Sequence, residues 1–368
     1  MNRKSLASVT ILAMLFLLLV RVQSAKSVSM VIVVPDDYLQ IQEAIEAANE
    51  GDTIRVKNGY YVENPVINKS VSLVGEDRDT TVIDVIAGLK IEADNVIVTG
   101  LTVFDGYEGI SVGANYCNIS GNKIVDSDSG VVLHGGENNI VAGNIFESIG
   151  PAGAVVLWFS DNNLVNNNYI SSCTEGIQLR EGSSFNMVKE NIITNCKNVA
   201  VRLLGAYSPP MWYYPSNNTI LRNSISDSGI GATIYASNNN IISDNNFVNN
   251  TYQFSANEEY FIIWGGSVSV NIIEGNFWSD YNGTDVNGDG MGDLPFVLDE
   301  NNVDSYPLMK LVAIPVFPEP TSPPEPTPIP TPTEEPQQPE QDITAGAILA
   351  VTSIVVFLGL LFYFIKRE

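Results

Sequence analysis

The feature that most restricts what this chain can fold into is an asparagine that returns with the same neighbours. NIVAGNIF from Asn139, NLVNNNYI from Asn163, NMVKENII from Asn186, NTILRNSI from Asn218, NIISDNNF from Asn240 and NIIEGNFW from Asn271 are one unit repeated. A second asparagine follows each by five residues, at Asn144, Asn168, Asn191, Asn223, Asn245 and Asn276. Steps of 22 to 24 residues, with two longer ones, are the signature of a solenoid in which each period is one coil. Short strand signals precede the asparagines: GISV at Gly109, GVVL at Gly130, AVVL at Ala154, GIQL at Gly176 and AVRL at Ala200. Gly, Asn and Ser turns separate them, and no period contains a helical pattern. The spacing predicts an all-β chain, a right-handed parallel β-helix of about ten coils running from near Asn95 to Asn276. Coils stack ~4.8 Å apart, so an asparagine at one position in every coil can bond its amide up and down a ladder and satisfy turn backbone. The asparagines are therefore read as structural.

An open solenoid end exposes core and unpaired strand edges, so a cap is expected. Asp37 with Gln40 reads as a capping box, and Ile41, Ala44, Ile45 and Ala48 share one face of a helix ending at Gly51, placed to plug the N-terminal end.

The chain ends point to export. Residues 1–25 combine Arg3 and Lys4, an apolar run and small residues at Ser24 and Ala25, the pattern of a signal peptide; an uncleaved anchor is the alternative. Residues 26–312 form the body. Residues 313–342 are a proline-rich linker, either an extended polyproline II stalk or a disordered spacer. Residues 343–365 are uncharged and about 34 Å long as a helix, enough for a bilayer core of ~30 Å, and read as a membrane span. Lys366 and Arg367 in the tail, residues 366–368, place the body outside the cell.

With 42 acidic against 18 basic residues, the surface is strongly negative, which argues against nucleic acid or anionic lipid as the body's partner and favours cations. Three cysteines are too few for a disulfide framework. Cys173 and Cys196 lie one period apart and either pair or stack as small buried residues.

Superposing the strand signals puts Ser111, Val132, Val156, Gln178 and Arg202 in one outward column and Gly113, His134, Trp158, Arg180 and Leu204 in the next, with Glu175 and Glu181 close by. An exposed indole among planar polar groups suits a sugar: the ring covers the apolar face of a pyranose and the polar groups bond its hydroxyls. An ordinary solvated sheet face is the competing reading. Beside Arg202, the segment AYSPPMWYYPS from Ala206 carries Tyr207, Met211, Trp212, Tyr213 and Tyr214 and either walls this face or folds back over its coil. Asp285, Asn287, Asp289, the Met291 carbonyl and Asp293 have the alternating oxygen spacing of a calcium loop. Phe296 stands where an EF-hand carries glutamate, so a complete EF-hand is excluded. No organic cofactor is called for.

The stretch IQEAIEAANEGDTIRVKNGYYVENPVINKSVSLVGEDRDTTVID, the asparagine coils, and then GNFWSDYNGTDVNGDGMGDLPF and ENNVDSYPL resemble the NosD-type β-helix repeat proteins of archaeal cell surfaces, and more widely the pectin-lyase-like superfamily. That resemblance implies the β-helix fold and a polysaccharide as the object of binding, cleavage or remodelling. It also carries a copper label, from which this sequence departs: His134 is its one histidine and no Met, Cys and His cluster accompanies it. Four functions stay open: a surface module binding carbohydrate or another envelope polymer, a structural or adhesive rod, a polysaccharide lyase or hydrolase, and a NosD-like copper accessory protein. VLHGG at Val132 has no paired aspartates beside it, so no catalytic residue is assigned and the balance leans away from an enzyme.

Overall fold

The computed structural model describes residues 29–208, 211–256, 270–299 and 301–315, all within one compact unit, Ser29–Glu325. The segments expected to be a signal peptide, a proline-rich linker (from residue 316 onward) and a C-terminal span lie outside the described residues. Among the described residues, no helix is long and apolar enough to cross a membrane.

Among the described residues the chain is a parallel β-solenoid of about ten coils; a full coil contributes one strand to each of three sheets, A, B and C, which with the end strands number 13, 10 and 9. In one coil these are Ile140–Ala142 in sheet A, Ile145–Glu147 in sheet B and Gly153–Trp158 in sheet C. Pairing is parallel from coil to coil, as in Ile140↔Leu164, Ile145↔Tyr169 and Val155↔Ile177. Alternation sends one apolar residue of each short strand inward. Val141, Val165 and Val188 of sheet A, Phe146, Ile170 and Ile193 of sheet B, and Leu133, Leu157 and Leu179 of sheet C are all fully buried in one continuous core.

The corners explain the polar half of the repeat. Each needs a residue in the left-handed region, met by Asn138, Asn162, Asn217 and Asn239 at one corner, Gly143, Asn167 and Asp244 at a second, and Asp126, Asn195 and Asp227 at the third. Asn, Asp and Gly tolerate that conformation best. Two ladders follow directly. The side-chain oxygen of Asn191 accepts from the backbone N–H and the amide of Asn168, while its own amide donates to Val165 O and to Asn223 Oδ1. The same pattern links Asn122, Asn144, Asn168, Asn191, Asn223, Asn245 and Asn276 without a break. A parallel ladder joins Asn139, Asn163, Asn186, Asn218, Asn240 and Asn271. In sheet C the coils touch closely at the corner glycines: a Cβ on Gly176 would lie 2.2 Å from Ala200 O.

The ladder from Asn122 to Asn276 ends on a carboxylate. Asp304, fully buried, accepts from Gly275 N, Asn276 N and the Trp278 indole N–H. Trp278 in turn stacks on Phe247 with ring centres 4.4 Å apart. Phe296–Val297 pairs antiparallel with Val303–Asp304 across this end, and Asn246 holds Val312 by both its N–H and its carbonyl.

At the other end helix α1 (Ile41–Ala47) buries Ile41, Ala44 and Ile45 against the first strands. Two details depart from expectation. The helix stops at Ala47, short of Gly51, and the capping box is absent: Gln40 occupies the N-cap position without a side-chain cap bond. Glu63 from the following turn accepts from Ile41 N and Gln42 N instead, placing a carboxylate on the free N–H groups of the first turn. Asp37 faces the opposite way and accepts from Val33 N. Cys173 and Cys196 share the third corner column and are both free and buried; burial pushes their thiols up to about 11 and about 12.

Candidate functional site

The outer face of sheet C carries the residues singled out in the sequence, in the expected register. Ser111, Val132, Val156, Gln178 and Arg202 pair in succession, as do His134, Trp158, Arg180 and Leu204. The middle of the first column is nearly closed to solvent although it points outward, with Val132, Val156 and Gln178 each at most 5% exposed and Ser111 and Arg202 half-buried at its ends. It is a floor. Trp158, 41% exposed, stands along one edge between His134 and Arg180. The His134 ring centre is 5.8 Å from that of Trp158, and the Arg180 guanidinium carbon lies 5.7 Å from the indole centroid, within cation–π range.

The opposite edge is acidic, and hydrogen bonds reach across the floor to it. His134 Nε2 is 2.9 Å from Glu108 Oε1, although the two residues come from different coils. Burial pushes the Glu108 carboxyl up, but hydrogen bonds from His134 and Ser111 outweigh it and hold the group below its ordinary value. Arg202 donates from Nε and Nη2 to the two oxygens of Glu175 at 2.8 and 2.6 Å, a bidentate pair. Gln178 donates to Ala152 O and, at 3.4 Å, to Glu175. Arg180 Nη2 donates to Glu181 at 3.3 Å. Each guanidinium is therefore met by a glutamate of this face.

The aromatic loop is a β-hairpin, Ala206–Ser208 against Met211–Tyr213, with Tyr207 opposite Trp212. Its rings form a chain: Tyr207 to Trp212 at 5.1 Å, and Trp212 stacked on Tyr214 at 6.2 Å. Tyr213 packs edge-on to Phe159 at 5.2 Å, which fixes the hairpin beside the edge bearing Trp158. Phe159 and Glu108 are the participants that sequence reasoning missed. Phe159 was hidden because it follows the strand in a left-handed corner, with φ 49°. Glu108 had a signal, since it opens the strand containing GISV, but its partner lies 26 residues away.

The glycine-aspartate loop near the C-terminal end is drawn together by its own backbone. Asp285 accepts from Gly288, Asp289 and Gly290 N–H groups, Asp289 from the Asn287 amide and Met291 N, and Asp293 from Thr284 and Val286. Among the described residues, no group of three or more His, Cys, Asp or Glu converges as a metal site.

Comparisons place this geometry among known proteins. The family described as "Periplasmic copper-binding protein (NosD)" matches residues 45–209 and 210–283. No curated protein matches the sequence. Among solved structures, an alginate lyase from Paenibacillus sp. str. FPU-7 is similar with a TM-score of 0.53 at 14% identity, over 67% of this chain and 94% of that one. The A-module of an Azotobacter vinelandii mannuronan C-5 epimerase gives 0.41 at 14% identity, over 64% and 82% of the two chains. A tailspike protein of E. coli bacteriophage HK620, in complex with a pentasaccharide, gives 0.42 at 13% identity, over 65% and 61%. The first of these likenesses shows the shared fold, the pectin-lyase-like right-handed parallel β-helix.

Proposed function

The chain belongs to the NosD family, and from that premise we propose that it is an extracytoplasmic β-helix, tethered to the membrane, that binds carbohydrate on the outer face of sheet C. The observation that carries the reading is Trp158: a large ring left exposed on an otherwise ordered face, flanked by His134 and Arg180, with an aromatic hairpin fixed beside it. Arg202, Tyr207, Trp212 and Tyr213 supply polar and aromatic contacts around it, above the floor that Gln178 helps to form. The alginate lyase of similar fold bears a name that makes a polysaccharide its substrate, which agrees in kind. Screening the full-length protein against a glycan array tests the reading: retention of at least one glycan class is expected, and silence across the array would end it.

Residues 343–365 supply the tether and residues 313–342 the stalk, so the protein should stay in the membrane pellet through alkaline carbonate washing; release would refute a span. Helix α1 closes the N-terminal end of the solenoid over its core.

Copper, named in the family's description, does not fit the residues present. His134 is the one histidine of the chain, and its Nε2 is engaged by Glu108. The three cysteines are buried, two of them with thiols held protonated, and no soft-ligand cluster accompanies them among the described residues. We derive no step through copper.

Calcium is a second, separate proposal for Asp285, Asn287, Asp289, the Met291 carbonyl and Asp293, resting on oxygen spacing. Asp285 would have to exchange amide partners for the ion, so only a modest rise in melting temperature, about 2–4 °C, is expected between chelator and excess calcium. Coincident melting curves would retire the site.

A further inference from the structure

We infer that this face selects neutral, hydroxyl-rich sugars and disfavours uronates and other acidic polymers, an inference that rests on the carbohydrate reading above and names its ligand class.

The charge on the face decides the first half. Arg202 is closed on Glu175 by two hydrogen bonds, and Arg180 is paired with Glu181. Glu108 faces His134. Three carboxylates thus meet two guanidiniums, leaving a negative excess when the imidazole is neutral. The basic side chain nearest in the ladder, Lys90 beside Ser111, is bonded to Glu92 at 2.6 Å. Recognition of a carboxylate by arginine works through a free bidentate fork; that of Arg202 is filled by Glu175, and that of Arg180 is already shared with Glu181 through Nη2. A uronate entering this face would meet paired cations and the field of a protein with net charge −24.

Hydrogen-bond chemistry decides the second half. Arg180 Nε and Glu181 Oε2, on neighbouring residues beside Trp158, are buried and have no partner in the protein. A sugar hydroxyl, at once acceptor and donor, offers what each lacks: an acceptor for the guanidinium and a donor for the carboxylate. A ligand carboxylate can satisfy only the arginine and sets two like charges against each other. Both atoms are closed to solvent, so contact with a hydroxyl requires local side-chain movement. Stacking on Trp158 needs the apolar face of a pyranose and is indifferent to charge.

Native gels cast with a soluble neutral glucan, a galactomannan, alginate or polygalacturonate, and run with the full-length protein in detergent, test this. The expected result is retention by a neutral polymer with an apparent Kd at least about tenfold below that for either uronate. Glu175→Gln keeps the side-chain shape and releases the charge of Arg202, and should narrow that gap; Glu181→Gln does the same for Arg180 and serves if the first variant folds poorly. Glu43→Gln, on the exposed side of α1, makes the same change in net charge far away and should leave the gap unchanged. Tighter binding of a uronate by the unmodified protein overturns the inference while leaving carbohydrate binding intact. Equal narrowing by Glu43→Gln overturns it too, since global charge would then govern. Retention by none of the polymers overturns this inference, and the glycan array then decides the carbohydrate reading by itself.

Discussion

Asn191→Leu should lower the free energy of unfolding by about 3–5 kcal/mol, measured by denaturant titration of the soluble body against the unmodified protein. Leucine keeps the branched shape but is bulkier, so the loss is chiefly of hydrogen bonds with some overpacking added. The backbone N–H and side-chain amide of Asn168 lose their common acceptor, and Val165 O and Asn223 Oδ1 each lose a donor. All of this happens where Asn168, Asn191 and Asn223 are fully buried and water cannot substitute. An orphaned buried polar group costs about 1–3 kcal/mol, and two or three remain after relaxation. Asn198→Ala, at an exposed corner of the same coil, should stay within about 0.5 kcal/mol. A ladder variant as mild as this control would show that the amides are ornaments of the fold and not part of its support.

Trp158→Ala should weaken glycan binding by about fivefold to 150-fold, equivalent to about 1–3 kcal/mol, with melting unchanged. The indole points away from the core, which is filled at this level by Val155 and Leu157, so its removal leaves no internal cavity. What is lost is the platform itself, together with the ring against which Arg180 and His134 are set. Titration calorimetry with the best glycan of the array measures it. If binding survives intact in both Trp158→Ala and Arg180→Ala, the ligand sits elsewhere on the molecule.

What could be read from the sequence divides along a physical line. Register along the solenoid was legible, because parallel coils repeat one chemistry at one place and the strand signals carry their own alternation. His134, Trp158, Arg180 and Leu204 fell into a column on that basis alone. Interactions between unlike residues of different coils were not. Glu63 caps a helix 22 residues before it, and Glu175 neutralises Arg202 across 27 residues. Nothing repeats in those pairs, and their meeting depends on side-chain conformations and the shape of the floor. The hairpin was visible as an aromatic insertion, but its pairing of Tyr207 with Trp212 was not.

The asparagine ladder also has a direction. Every member passes donors forward to the oxygen of the next coil, so an amide at the last position would present the same donors to whatever lay beyond it. Asp304 receives the donors of Asn276 and has none of its own to hand on, and its second oxygen is taken up by Gly275 and Tyr306. Replacing an amide by a carboxylate thus works as chain termination does in a polymer: the repeat that could otherwise be copied indefinitely is given a final residue that can accept but not propagate.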